Sequence, residues 1–344
     1  MNSTEPNSSP VPPRITGIPE ARSFLKRCAT TFKMASVALL ILLLLVPLTM
    51  IGFVLQERLG RRNEAVTNIT SGWGGDQTIL GPVLIVPYRY PVRTWKEQPA
   101  AGGKIERVEV VGTAVANAYF LPAAMKIDGA VDPTELHRGI YRAVVYSAKL
   151  KLEGEFARPD FSNLRTEDKD ILWEDALVAF TIPDLRGVKE TLQLTWGAQS
   201  LPLLPGSKLR GFSSGIFARV AGLRESSGTI PWKLGLTLRG SGGLDFAPVG
   251  IQNSVKLTSP WPGPSFRGAF LPSERKVTHE GFTANWQVSY YGRNYAQQWT
   301  DQDGSGALTP DSTQSSAFGV SLVSGIDAYR NVERAIKYGM LFLA

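Results

Sequence analysis

Residues 35–55 read ASVALLILLLLVPLTMIGFVL and lie within a longer run that contains no charged residue. At about 1.5 Å per residue, a helix of this length spans roughly 30 Å, the thickness of the hydrocarbon core of a bilayer. A cleaved signal peptide has a shorter apolar core and a small-residue cleavage site, whereas the polar sequence QER follows this run. The sequence therefore predicts an uncleaved transmembrane helix over residues 34–56, which Pro47 and Gly52 kink without ending it.

The flanks of this helix carry similar positive charge. Basic residues before it are Arg22, Lys26, Arg27 and Lys33, and those after it are Arg58, Arg61 and Arg62. The small excess of positive charge on the N-terminal side of the helix favours a cytoplasmic N-terminus. Because residues 1–33 are also rich in proline, serine and asparagine, we predict a disordered basic cytoplasmic tail there and a juxtamembrane helix over residues 57–70.

Composition excludes several classes of protein. The net charge of +7 falls partly in the tail, so it does not indicate nucleic-acid binding. The single cysteine, Cys28, excludes an intrachain disulfide and a thiolate metal cluster. Two histidines, His137 and His279, are too few for most zinc or iron sites. The sequence accordingly predicts no metal and no cofactor.

The large middle of the chain has the pattern of β-strands. In residues 143–156, apolar residues alternate with Lys and Glu, which is typical of a strand with one buried and one solvent-exposed face. Turn signals such as Asp128-Gly129 and Gly242-Gly243 separate the strands, and their spacing predicts a mainly β, antiparallel sandwich or layered-sheet domain over residues 71–324. The predicted strands are 79–90, 106–120, 143–156, 177–182, 191–196, 233–239, 254–258, 283–291 and 317–323.

The end of the chain begins a second apolar run and then stops. Residues 338–344 read YGMLFLA, which is too short to span a bilayer. We predict that residues 325–344 form a helix entering a second, truncated transmembrane segment. A docked hydrophobic tail is the alternative.

Motifs for known chemistry are weak. Residues 211–215 read GFSSG, the letters of a serine nucleophile elbow, but no helical pattern follows them. Asp301 and Asp303 resemble the opening of a calcium loop that lacks its final glutamate. Six aromatic residues could bind sugars or lie at a bilayer surface, but half-buried strand packing is the favoured interpretation; they are Phe282, Trp286, Tyr290, Tyr291, Tyr295 and Trp299.

Several strings, in their order along the chain, resemble the CreD family of bacterial inner-membrane proteins. They are LGPVLIVPY (80–88), RGIY (138–141), PDLRG (183–187), SGGLDF (241–246) and SPWPGPSFRGAFLP (259–272). The resemblance implies an inner-membrane protein with a cytoplasmic N-terminus and a periplasmic β-rich domain. It also implies a link to a two-component regulon, to envelope stress and to envelope integrity. The family continues with further membrane helices and often has histidine in place of Gly263, and it supplies no catalytic residue.

We therefore predict a non-enzymatic membrane protein that supports envelope integrity, with the β-domain as a binding or sensing module. Its partners would be the lipid bilayer and an envelope protein, lipid or glycan. The predicted interaction loop is rigid and aromatic, and consists of Trp261, Pro262, Pro264, Ser265, Phe266 and Phe270. A packed crossover between strands is the alternative for this loop. The rival function is an envelope hydrolase or transferase acting on peptidoglycan or lipid, with Asp245, Glu274 or His279 beside another carboxylate in a cleft.

Overall fold

The chain is mainly β. The computed structural model describes residues 20–99, 105–164, 166–188, 191–226, 228–304, 306–322 and the single residue Tyr338. It is 49% strand and 21% helix, which confirms the predicted class. Contacts divide the chain into two compact units, Met1–Arg61 with Ile326–Ala344, and Arg62–Gly325. The predicted helix of residues 325–344 lies outside the described residues, apart from Tyr338.

One long helix, α1 (Glu20–Thr70), contains the apolar run. Pro47 lies inside it, and the helix continues through Pro47 and Gly52, as the sequence predicted. Large apolar side chains such as Phe32 and Phe53 are exposed along the helix, and hydrocarbon is the medium that suits such a surface. Among the described residues, α1 is the one helix long and apolar enough to cross a membrane.

The helix begins earlier than the sequence interpretation placed it. Residues 20–33, which the composition predicts to be part of a disordered tail, are helical in the structure. This part contains no glycine or proline after Pro19 and includes alanine, leucine, lysine and arginine, which favour helices. Residues 1–19 lie outside the described residues.

The remaining elements are strands, with short 3₁₀ turns and one further helix, α2 (Pro310–Ser316). In chain order the strands are β1 (Gln77–Pro99), β2 (Ile105–Phe120), β3 (Ala124–Arg138), β4 (Tyr141–Phe156), β5 (Leu177–Thr181), β6 (Gln193–Trp196), β7 (Gln199–Pro202), β8 (Leu204–Pro205), β9 (Ile216–Arg219), β10 (Ile230–Ser241), β11 (Gly243–Phe246), β12 (Gln252–Ser259), β13 (Pro264–Gly268), β14 (Glu274–Thr278), β15 (Gly281–Ser289), β16 (Gln298–Thr300) and β17 (Phe318–Leu322).

The strands form two sheets. A nine-stranded sheet has the order β13-β17-β11-β1-β5-β9-β8, with β2 added to β1 and β16 added to β2. An eight-stranded sheet has the order β14-β15-β12-β3-β4-β10-β6-β7. All of the predicted strands overlap observed strands, because their period-2 pattern follows directly from having one buried face.

The two sheets pack face to face through large aromatic side chains. Phe180 of β5 lies 5.9 Å from Trp232 of β10, measured between ring centroids, and Trp286 of β15 lies 6.0 Å from Phe318 of β17. All four side chains are buried. The domain is therefore a β-sandwich, as predicted.

Two details of the sheets differ from the prediction. The pairs β1–β11 and β3–β12 are parallel, whereas the others are antiparallel. Asp128-Gly129, interpreted as a turn, lies in the middle of β3. A Cβ on Gly129 would lie 2.5 Å from a methyl group of Leu257 and 2.7 Å from one of Leu150, so a larger residue would displace buried side chains of both neighbouring strands.

Candidate functional site

The predicted interaction loop lies in a crossover between the sheets, residues 260–272, which we call the crossover. The chain leaves β12 of the eight-stranded sheet, forms β13 at the edge of the nine-stranded sheet, and then enters β14. The ring of Phe266 packs edge-on against Phe282 and Trp286, with both centroid distances 5.7 Å. Phe266 therefore contributes to the core of the sandwich.

The other loop residues divide between core and surface. The Phe270 ring lies 5.8 Å from that of Phe318, and its carbonyl accepts a hydrogen bond of 3.2 Å from Nε1 of Trp286. Trp261 is half-buried, and its Nε1 donates to the carbonyl of Gly263 at 3.1 Å. Pro262 and Ser265 are exposed, whereas Pro264 is half-buried. These contacts favour the packed crossover, and an interaction role for the loop stays a prediction.

The crossover also carries Arg267, which the sequence analysis did not single out. Its Nε donates to Oδ1 of Asp245 at 3.1 Å, and its Nη2 donates to Oδ2 of Asp245 at 2.6 Å. The same Nη2 donates to Oδ2 of Asp76 at 2.9 Å. One guanidinium thus holds two carboxylates from parts of the chain that are far apart in sequence.

Glycines make room for this bridge. A Cβ on Gly243 would lie 2.1 Å from Nη2 of Arg267, so a larger residue would displace the guanidinium from its place between the carboxylates. The backbone N–H of Gly243 donates to Oδ1 of Asp76 at 3.1 Å, and its carbonyl accepts from the hydroxyl of Tyr146 at 2.7 Å. Gly242 has φ of 79°, which permits the tight turn from β10 into β11. The predicted Gly242-Gly243 turn is therefore confirmed.

Burial and hydrogen bonding shift the pKa values of the groups at the bridge. Burial raises the pKa of Asp245, while the hydrogen bonds from Arg267 oppose this effect. The Asp245 carboxylate raises the pKa of Arg267 above its usual range, so the guanidinium stays charged. Burial likewise raises the pKa of Tyr146, which remains a neutral hydrogen-bond donor.

A cleft of about 440 Å³ opens at the bridge. Its walls combine Asp76, Asp245 and Arg267 with the hydroxyl-bearing Thr181 and the aromatic Phe212. Two carboxylates in one cleft are what acid–base catalysis of glycoside cleavage requires. Here both carboxylates already accept hydrogen bonds from the guanidinium of Arg267, which favours a structural role.

The other two residues of the predicted hydrolase site lie elsewhere. Glu274 is exposed on β14, where it accepts a hydrogen bond of 3.2 Å from Asn285. His279 is exposed and faces Glu280 at 3.9 Å. The structure therefore brings Asp245 together with Asp76 and leaves Glu274 and His279 out of the cleft.

The segment that follows α1, residues 71–77, which includes the first residue of β1, is fixed firmly to the sandwich. Nη1 of Arg186 donates to the carbonyl of Ser71 at 3.2 Å, and the guanidinium of Arg239 lies 4.7 Å from the ring centroid of Trp73. The hydroxyl of Ser241 donates to the carbonyl of Gly74 at 2.8 Å. Asp76, in the same segment, belongs to the cleft, so the chain that follows α1 leads directly into the charged bridge.

Asp301, one of the two acidic residues that resemble a calcium loop, binds residues of β2 instead. Oδ2 of Asp301 accepts from the backbone N–H of Asn117 at 3.0 Å and from its side-chain amide at 2.9 Å. Oδ1 accepts from the hydroxyl of Tyr119 at 2.9 Å. Within the described residues, no three His, Cys, Asp or Glu side chains are grouped so as to hold a metal ion.

Four of the six clustered aromatic residues are core residues. Phe282, Trp286, Tyr295 and Trp299 are buried, and Trp299 stacks on Tyr119 with a centroid distance of 5.1 Å. Tyr290 and Tyr291 are exposed and contact each other. Strand packing, the favoured interpretation, thus accounts for most of this cluster.

An apolar N-terminal helix and a β-sandwich with a charged cleft define a membrane-anchored β-sandwich protein. The family model described as inner membrane protein CreD matches residues 29–344, and the chain belongs to this family. A similar curated protein is the inner membrane protein CreD of Escherichia coli (strain K12), which is 27% identical over 313 residues. The match covers 91% of this chain and 66% of the length of that relative.

Similarity to solved structures is slight. An M1 zinc metallopeptidase from Deinococcus radiodurans matches with a TM-score of 0.23 and 8% identity, over 49% of this chain and 38% of that chain. A mutant of the same peptidase matches with a TM-score of 0.21 and 6% identity, over the same shares of the two chains. Scores of this size carry no information about the function of this chain.

Proposed function

We propose that this inner-membrane protein supports envelope integrity through a periplasmic β-sandwich that binds an envelope component and catalyses no reaction. The observation that carries the proposal is the position of Asp76. It belongs both to the segment that follows α1 and to the Arg267 bridge of the cleft. Binding of an envelope component that alters the bridge would therefore change the contacts of the segment that follows α1, as a sensor requires.

A second candidate, an envelope hydrolase, is favoured by the two carboxylates in the cleft. Two substitutions of Asp76 separate the candidates. In Asp76→Asn the single amide oxygen can still accept the hydrogen bond from Arg267, whereas the hydrogen bond from the N–H of Gly243 to the other oxygen is lost. The amide cannot act as a base or nucleophile. In Asp76→Ala both hydrogen bonds are lost.

We expect cells that lack the native gene to regain resistance to deoxycholate with the wild-type full-length protein and with Asp76→Asn. Cells carrying Asp76→Ala should remain measurably more sensitive, because the segment loses both of its side-chain hydrogen bonds to the cleft. The measurement is colony survival at equal amounts of inserted protein. Loss of resistance in both variants would favour the hydrolase, and full resistance with Asp76→Ala would contradict the sensing role.

The periplasmic placement of the sandwich can be tested with thiols, since Cys28 is the single cysteine. We expect a membrane-impermeant maleimide to label Ser289→Cys in a Cys28→Ser background when the inner membrane is intact, because Ser289 is exposed on the sandwich. Cys28 of the otherwise unchanged protein should react only after lysis. The reverse pattern would place the sandwich in the cytoplasm.

A further inference from the structure

The outer face of the eight-stranded sheet has a depression across its central strands. Two hollows of about 680 and 610 Å³ share Ala130, Lys149 and Thr258 and therefore form one surface feature, which we call the trough. Its floor is formed where short side chains occupy outward positions of neighbouring strands, among them Ala130, Ser147 and Gly235. Hollows of this size suit a small ligand.

Gly235 is the most informative residue of the floor. It lies in the middle of β10, where glycine weakens a strand because it adds backbone freedom and packs no side chain. A Cβ at this position would meet no atom within 4 Å, so packing does not require glycine, in contrast to Gly129 and Gly154 of the same sheet. A strand glycine of this kind is typical of a place where a ligand approaches the backbone closely.

The trough carries unbalanced positive charge. Lys151 of β4 and Lys256 of β12 both stand opposite Asp128 of β3, and Lys149 is two residues from Lys151 on the same face. Asp128 already pairs with Lys126 at 3.4 Å. Within the described residues, Lys149, Lys151 and Lys256 form no ion pair. Each is exposed. Lys149 and Lys151 lie about 7 Å apart along β4, and Lys256 lies two strands, or about 10 Å, from Lys151, so a ligand with several acidic groups can contact more than one ammonium group.

The remaining charges near the trough do not cancel this excess. Glu153 is held by Lys126 at 3.3 Å and by Lys233 at 3.8 Å. Asp132 and Glu280 border the larger hollow, where Lys276 is a further cation. Hydroxyl groups of Thr237 and Thr258 flank the lysines and can exchange hydrogen bonds with sugar hydroxyls.

We propose that the trough binds an anionic oligosaccharide, whose acidic groups contact Lys149, Lys151 and Lys256 while a sugar ring lies over Gly235. This inference rests on the proposed binding role and names the ligand class. The sugar ring requires that no side chain fills the space above Gly235, and the acidic groups require the positive charge of the lysines. The two requirements can be tested separately.

The test uses hexagalacturonic acid with the full-length protein in lipid nanodiscs, measured by calorimetry. We expect saturable binding that weakens as salt rises, and at least about tenfold weaker binding in Lys151→Gln/Lys256→Gln. Gly235→Thr should weaken binding by a similar factor while the melting temperature stays equal or rises, because threonine favours strands and meets no obstacle there. A matched control, Lys169→Gln/Arg219→Gln, removes two exposed charges outside the trough and should bind as the wild type does.

Several results would overturn the inference. These are an absence of saturable binding up to about 10 mM, equal binding of uncharged maltohexaose, equal affinity for pyrophosphate, or unchanged binding in Gly235→Thr. None of these results affects the outcome expected for Asp76→Asn and Asp76→Ala, because Asp76 lies outside the trough. Those two variants test the sensing role in cells. Failure of the inference is thus distinguishable from failure of the proposed function.

Discussion

Arg267→Met is expected to lower the free energy of unfolding of the sandwich by about 2–4 kcal/mol. The reason is that the carboxylate of Asp245, whose side chain is only 13% exposed, would stay buried without its cation. Asp76 would lose the same partner but is 56% exposed, so water replaces much of that contact. Methionine fills a similar volume, which limits the contribution of a cavity.

Urea unfolding of the 344-residue chain in detergent, followed by tryptophan fluorescence, measures this effect. All eight tryptophans lie between Trp73 and Trp299, so the signal reports on the sandwich. The control is Arg219→Met, because Arg219 is 75% exposed and its ion pair with Asp175 is long, at 3.9 Å. We expect a change below about 0.5 kcal/mol there. Equal stability of the two variants would show that the bridge does not hold the crossover.

Gly268→Ala is expected to destabilise the sandwich by about 2–4 kcal/mol. Gly268 ends β13 with φ of 97°, a conformation that alanine adopts only with strain. Its added Cβ would also lie 2.2 Å from the carbonyl oxygen of Ala317, a backbone atom that cannot move aside without shifting the neighbouring strand β17.

The control lies in the same crossover. Gly263→Ala places a Cβ whose nearest neighbour, Nε1 of Trp261, is 3.9 Å away, and the backbone of Gly263 does not have a positive φ. We expect a change within about 0.5 kcal/mol for this variant, by the same unfolding measurement. If Gly268→Ala proved as mild as Gly263→Ala, the crossover would be a loosely attached loop, and the interaction role predicted for it would gain support.

The helix and many strands could be predicted from sequence because each follows from a local pattern. In a membrane, a single apolar segment can form hydrogen bonds with all of its own backbone N–H and C=O groups only as a helix. Strand β4 shows its period-2 alternation within its own residues. In both cases the hydrophobic effect acts on neighbours along the chain, so the pattern is visible without the fold.

Strands β3 and β13 could not be predicted in this way. Gly129 looks like part of a turn until Leu150 and Leu257 are known to lie on either side of it. Pro264 begins β13, which pairs with β17 at the edge of the nine-stranded sheet. Proline is tolerated at such a position, but its sequence signal is that of a loop.

The cleft depends on long-range contacts. Asp76, Asp245 and Arg267 come from three separate parts of the sequence, and no spacing rule joins them. The two glycines at 242 and 243 were a visible signal, but they indicated a turn and not the guanidinium that Gly243 accommodates. Asp245 was singled out as a candidate, whereas its partners emerged only with the fold.

The central claim is that ligand binding to the sandwich changes the segment that follows the membrane helix. Amide hydrogen exchange of residues 71–77 tests this claim most directly. The full-length protein in lipid nanodiscs would be measured with and without an extract of envelope components, beside Asp76→Ala. We expect the extract to slow exchange in this segment in the wild type and to leave Asp76→Ala unchanged. Protection elsewhere in the sandwich with no change in residues 71–77, or no protection anywhere, would contradict the proposed role.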